Sequence, residues 1–171
     1  MHFQPTLSNE FVKIVPLSTE DFEVLFTIAS DKLLWEQHPE KDRYKKEVFL
    51  KFFQEAIQSR TAFKVIDVKT GNTIGCTRYY DYHEKEKSVA IGYTFIDRKY
   101  WGTPYNRTLK NLMINYAFQY VESIIFHVGN TNFRSQKAVG KLGAIHSETS
   151  VKSDSGKIHF TFSLTKDNWK E

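Results

Sequence analysis

Near residue 60 the hydrophobic pattern of this chain changes period, and that change limits what the remainder can fold into. Before it, Val48, Phe49, Phe52, Phe53, Ala56 and Ile57 recur at helical spacing, which predicts a helix over Lys45 to Ser59. After it, AFKVIDV (62–68) and TIGCTRYYDY (73–82) read as two strands joined by the turn KTGN, a strong hairpin signal. The polar turn HEKEK leads to a third strand, SVAIGYTFI (88–96). Alternation there predicts Val89, Ile91, Tyr93 and Phe95 on one face and Ala90, Gly92, Thr94 and Ile96 on the other.

The flanking segments complete the order. FVKIVPL (11–17) alternates as a short strand, and Ser18, with Asp21 in capping-box-like spacing, opens a helix carrying Phe22, Leu25, Phe26 and Ile28. Past the third strand, RKYWGTPYNRTLKNLMINYAF (98–118) begins as an aromatic loop and becomes an amphipathic helix. Its apolar stripe is Tyr105, Leu109, Leu112, Met113, Tyr116, Ala117 and Tyr120, with Asn106, Arg107, Lys110, Asn111 and Gln119 off it. The start of that helix has two readings. Thr103 is an N-cap with Pro104 at the first helical position, or the free N–H groups and dipole of the terminus form an anion site. SIIFHV (123–128) is nearly continuous in its hydrophobicity, as a strand buried on both faces would be. Asn132 caps a short helix ending at Gly143, and AIHSETSV (144–151) and KIHFTFSL (157–164) flank the turn SDSG. The order βααβββαβαββ predicts an α+β domain over 9–170, with a mixed, mostly antiparallel sheet of about seven strands flanked by helices.

Composition narrows the function. With 40% hydrophobic residues in 171 the chain is globular, and no apolar run approaches the ~18 residues of a membrane span. The first residues lack the charged-then-apolar order of a signal peptide, so the cytoplasm is the expected compartment. Cys76 is the only cysteine, which excludes an intrachain disulfide and a cysteine-built metal cluster; no metal is expected. A pI near 9.0 with strand aromatics also suits an RNA-binding sheet. Its basic residues, however, are mixed with acids in HEKEK and KDRYKKE, so no nucleic acid and no membrane partner is expected.

IGYTFI, then YWGTPYNRTLKNLMINYAF, then VGNTNFRSQKAVGKLGA, in that order and on those elements, resembles the GNAT acetyltransferase superfamily. The likeness is to the branch that includes the ribosomal-protein N-alpha-acetyltransferases, and it extends over nearly the whole chain. It implies acetyl-CoA as cosubstrate, with the pyrophosphate on the helix start and the pantetheine arm bonded to the main chain of Phe95, Ile96 and Asp97. The implied loop is Lys99, Trp101, Gly102, Thr103, Pro104, Tyr105 and Asn106, where Gly102, Thr103 and Asn106 reproduce a loop variant of the branch. Lys99 and Pro104 depart from the superfamily pattern, and Pro104 removes one N–H donor.

Transfer from a thioester to an amine needs a neutral amine, a polarised carbonyl and a proton for the departing thiolate. Asn132 and Ser135 match the branch's Asn-x-x-Ser, in which the Asn touches the pantetheine and the Ser lies near the sulfur. Ser135 is thus the general-acid candidate, since Val139 stands where many relatives carry a Tyr. On the residues alone, Asn132 is an N-cap and Ser135 a first-turn residue. Ala90 stands where related sequences often carry a carboxylate; Glu36, His38, Asp81 and His83 are other candidate bases, none singled out by a motif. Without the usual carboxylate the acceptor should be a low-pKa amine, or its proton should be drawn off through water: an α-amine near pKa ~8 is roughly a fifth neutral at physiological pH, a lysine about a thousandth, a gap of about 3 kcal/mol. The expected partner is an amine substrate, either a peptide or protein N-terminus or a small-molecule amine, acetylated by direct transfer in a ternary complex, and the chain itself is expected as a monomer or homodimer. Trp35, Tyr79, Tyr80, Tyr82 and Tyr93 could line an acceptor pocket, though aromatics at strand spacing more commonly form core. The alternative is an acetyl-CoA-binding protein with little or no transfer.

Overall fold

The computed structural model describes residues 1–151 and 156–171, so Ser153, Asp154 and Ser155 of the SDSG turn lie outside the described residues. The strands are β1 (Leu7–Ser8), β2 (Val12–Pro16), β3 (Ala62–Asp67), β4 (Thr73–His83), β5 (Ser88–Ile96), β6 (Ser123–Gly129), β7 (Ile145–Val151) and β8 (Ile158–Thr165). The α-helices are α1 (Phe22–Ala29), α2 (Lys46–Ser59), α3 (Tyr105–Ala117) and α4 (Phe133–Lys141). One eight-stranded sheet runs in the order β1-β2-β3-β4-β5-β6-β8-β7. Every pair is antiparallel except β5 with β6, which the α3 crossover makes parallel. The strand beyond the seven expected is β1, whose two residues carry no alternation to read.

Each face of the sheet has its own core. Leu109, Met113, Ile114 and Ala117 of α3 and Val139 of α4 pack on Ile14, Val65, Tyr79, Val89, Ile91, Ile124 and Leu164. On the other face Leu25 and Ala29 of α1 and Phe49, Phe52, Phe53 and Ala56 of α2 pack on Ala62, Cys76 and Phe95. Each fully buried Leu, Ile or Phe contributes about 1.5–3 kcal/mol. At the entry to α1 the Asp21 carboxylate accepts from Ser18 N at 2.9 Å and Oγ at 3.0 Å, and pairs with Lys64 Nζ at 2.6 Å.

The simple alternation expected along β5 fails at its middle. Val89, Ile91 and Ile96 belong to the α3 core, whereas Phe95 belongs to the α1–α2 core. Arg78 of β4 lies opposite Gly92 and Cys76 opposite Phe95, so Thr77 alone opposes Tyr93 and Thr94. Tyr93 takes φ 52°. This is a β-bulge: one extra residue reverses the parity of everything after it and bends the strand. A period-two reading assumes an unbroken pleat, so it cannot register the change.

Candidate active site

Pairing between β5 and β6 covers only Ser88 with Ser123, Val89 with Ile124 and Ala90 with Ile125. Both strands continue, β5 to Ile96 and β6 to Gly129, yet beyond Ala90 they part. The bulge at Tyr93 and Thr94 lies on the diverging stretch. The two facing edges therefore present unladdered backbone groups, which an extended ligand with amides of its own can satisfy as an inserted strand would. Phe95 keeps its side chain in the core and pairs its backbone with Cys76 of β4, its carbonyl against Gly75, which leaves Ile96 as the neighbouring residue turned to the cleft. The Ile96 carbonyl already accepts from Trp101 Nε1 at 3.2 Å.

At the mouth of the cleft α3 begins. The first α3-type bond is Thr108 N to Pro104 O at 2.9 Å, so the N–H groups of Tyr105, Asn106 and Arg107 precede any intrahelical partner. Pro104 sits one position before the helix, and Thr103 directs its hydroxyl to the Tyr100 carbonyl instead of capping α3. Gly102 has φ +75°, and a Cβ built there meets nothing within 4 Å, so the loop leaves open space above its backbone. Lys99 is turned back to Asp97, Nζ to Oδ2 at 3.2 Å, and the Asp97 carboxylate also accepts from Lys99 N at 3.1 Å.

Two ties hold this loop. Tyr100 and Tyr105, rings 4.7 Å apart, both donate to the Asp67 carboxylate at 2.9 Å. Asp67 is 2% exposed; burial alone would raise its pKa, but donors from Thr70, Tyr100, Tyr105 and Lys69 N hold it below the usual carboxylate value. Sequence reasoning missed Asp67, which stands at the end of β3 far along the chain from the loop. The second tie is Trp101, whose indole stacks under the Arg134 guanidinium at 3.7 Å and so brings the start of α4 to the mouth. There Asn132, 7% exposed, accepts from Ser135 N at 3.2 Å through Oδ1 and donates its own N–H to Gly129 O at 2.9 Å. It is an N-cap, as its residue type suggests, and Ser135 is a half-buried first-turn residue beside it.

The opposite face of the sheet carries a groove of about 390 Å³, floored by Ala90 and Ile125 and walled by Asp81, His83, His127 and Glu148. Tyr80 borders it. A Cβ on Gly92 would lie 2.9 Å from the Tyr80 ring, so the glycine lets Tyr80 cross β5 and reach His127 Nδ1 on β6 at 2.8 Å. Asp81 and His83 are thus gathered at the groove with His127, which sequence reasoning did not single out. Strand parity with Ile125 was the available signal. Glu36 and His38 stand elsewhere. His38 accepts from Glu40 N at 2.8 Å, and burial, aided by Arg43, pushes its pKa down to about 3, too low for a base at neutral pH. Trp35 and Tyr79 are core residues bonded to Ala29 O and Met113 O, and Tyr82 packs edge-on against Phe3. Tyr93 is 37% exposed beneath the Arg78 guanidinium.

A mixed sheet whose one parallel pair parts at mid-length, with two helix starts at the mouth of the gap, is the architecture of an acyl-group transferase of the GNAT type. Residues 12–145 match the acetyltransferase (GNAT) domain, and the chain belongs to that family of N-acetyltransferases. No curated protein sequence matches the chain. Among solved structures, a GCN5-related N-acetyltransferase from Brucella melitensis superposes with TM-score 0.84 at 18% identity, over 97% of this chain and 80% of that one. A GNAT-family acetyltransferase from Bacillus anthracis gives 0.79 at 18% identity, over 95% and 99%. Spermidine N-acetyltransferase from Vibrio cholerae, in complex with CoA and spermine, gives 0.72 at 15% identity, over 94% and 98%. These likenesses show the fold. No helix among the described residues is long and apolar enough to cross a membrane.

Proposed function

We propose that this acetyltransferase binds acetyl-CoA in the parting of β5 from β6 and transfers the acetyl group directly to a low-pKa primary amine, with a peptide or protein N-terminus as the leading acceptor. The observation that carries the reading is the end of the β5–β6 ladder at Ala90 and Ile125, with the α3 and α4 starts at the open end. The pantetheine amides bond the β5 main chain around Phe95 and Ile96, and the pyrophosphate takes the N–H groups of Tyr105 to Arg107 and the space over Gly102. Asn132 and Ser135 stand toward the sulfur, where the Ser135 hydroxyl donates to it as the bond to carbon breaks. The Vibrio cholerae enzyme of the same fold holds CoA, which supports the cofactor assignment.

The acceptor enters from the groove. Asp81, Glu86 and Glu148 attract an ammonium there, and Ala90 leaves the floor open where a carboxylate base would stand. With no strong base at that position the amine must supply its own neutral fraction, which favours an α-amine over lysine by about 3 kcal/mol. The placement within the ribosomal-protein N-alpha-acetyltransferase branch follows from the same residues, Gly102, Thr103 and Asn106 with Asn132 and Ser135. The experiment is two-stage. Millimolar acetyl-CoA, at ~100 times its dissociation constant, should stabilise the protein by about 2.7 kcal/mol, seen as a raised melting temperature. CoA thiol release should then appear with peptides bearing free N-termini and be lost when the N-terminus is blocked and only lysine remains. Absence of a melting shift refutes the cofactor site; a shift without release from any amine leaves a binding protein, not a transferase.

A further inference from the structure

On its sequence position Lys110 belongs to the polar side of α3, and the structure places it otherwise. It is 8% exposed, turned into the parting of β5 from β6. Its Nζ donates to Thr94 Oγ1 on β5 at 2.7 Å and lies 5.9 Å from the Phe126 ring on β6, so the side chain bridges the two diverging strands. The Thr94 hydroxyl is shared with Thr77 Oγ1 of β4 at 2.8 Å, which in turn meets Met113 Sδ at 3.4 Å. The ammonium thus meets a hydroxyl and a ring, with the Thr77 hydroxyl and the Met113 thioether one contact further along the same chain of bonds. Burial alone shifts it, down to about 7, with no carboxylate, histidine or second cation acting on it among the described residues. A buried cation without a counter-charge is costly, and an apolar side chain would fill the same space better.

The chemistry of the cleft supplies the missing partner. Along the arm of acetyl-CoA the groups that enter the parting are neutral amides and the thioester, and negative charge develops there only during reaction. We propose that Lys110 is the acid that protonates the departing CoA thiolate; the inference rests on acetyl-CoA lying in this cleft. The acceptor nitrogen adds its lone pair to the thioester carbonyl carbon. The tetrahedral intermediate collapses with cleavage of the C–S bond, whose electron pair stays on sulfur. A proton passes from Lys110 Nζ to that sulfur, giving free CoA thiol and neutral Lys110. The surplus proton of the new amide nitrogen leaves to water on the groove side, and Lys110 is reprotonated from water before the next turnover. Ser135 keeps its hydrogen bond to the sulfur, but an aliphatic hydroxyl is a far weaker acid than a thiol and cannot complete the transfer. An ammonium poised near neutrality is matched to a thiol of pKa ~8.5.

The test compares the parent with Lys110→Met, a volume-conserving apolar change that should melt no lower than the parent. CoA itself is the probe, and its bound thiol is titrated by the ultraviolet absorbance of the thiolate. With Lys110 facing the sulfur, the bound thiol ionises about one pH unit lower in the parent than in Lys110→Met, a roughly tenfold difference in thiolate at fixed pH. With any acceptor that turns over, the variant should lose about a hundredfold in kcat with little change in the KM for acetyl-CoA. Equal titration of bound CoA in both proteins overturns this inference and leaves the cofactor site standing. Failure of the parent to bind CoA overturns both.

Discussion

Placing a methyl group on Gly102 tests the cofactor loop with an internal control. Gly102 and Gly71 have nearly the same left-handed backbone, φ +75° and +74°, and an added Cβ meets nothing within 4 Å at either. An L-residue in this region costs about 1–2 kcal/mol, and the loss of glycine's freedom in the unfolded chain returns about 0.4–1 kcal/mol. Each Gly→Ala change should therefore destabilise the protein by about 1 kcal/mol, or roughly 2–4 °C in melting temperature for a chain this long. The two differ in what lies above them. Gly71 is in the turn between β3 and β4, whereas Gly102 immediately precedes α3. If the pyrophosphate rests there, the methyl group added by Gly102→Ala occupies its space, and acetyl-CoA should bind at least tenfold more weakly, about 1.4 kcal/mol. Gly71→Ala should bind as the parent does. Isothermal titration and thermal melts on the three proteins read both quantities. Equal affinity in parent and Gly102→Ala, with the melting cost present, would refute the phosphate placement.

Asp67→Ala leaves the Tyr100, Tyr105 and Thr70 hydroxyls without their acceptor and should cost about 1–3 kcal/mol in urea denaturation at neutral pH, with weaker acetyl-CoA binding. Because the folded Asp67 pKa is depressed, its contribution is present above the unfolded value of ~3.9 and is lost as pH falls through the folded value, so the gap between parent and variant should narrow in acid. Asn132→Ala removes the α4 cap, costing about 1 kcal/mol and weakening acetyl-CoA binding, whereas Ser135→Ala should keep affinity and lower the maximal rate on the order of tenfold. His38, held near 3 against 6.5 when unfolded, adds stability above about pH 6.5 that is lost as pH falls toward 3; denaturation curves of His38→Asn should have a flatter pH profile across that window.

Local chemistry along the chain was enough for the order of every element but β1, for the α4 start and for the hairpin, whereas α3 starts at Tyr105, one residue past the expected Pro104, with Thr103 turned to Tyr100. The bounds of β5 (Ser88–Ile96), the Ser18–Asp21 turn before α1 and the Asn132 cap were all legible because each depends on neighbours within a few residues. The family was legible for the same reason, since its motifs sit on contiguous stretches. Lys110 was not, because helical spacing says which residues share a side but not that α3 lies over a gap in the sheet, where a polar side chain can descend. Asp67 and His127 were not, because their partners, Tyr100 with Tyr105 and Tyr80, are 33 or more residues away in sequence. The bulge at Tyr93 and Thr94 comes from the register of β4 against β5, a relation between strands. Residue pattern thus determines what each segment is, through backbone preference and burial of one side. Only tertiary packing decides where paired strands part and which side chains, such as Lys110, are buried beside the gap, because both depend on contacts between segments far apart in sequence.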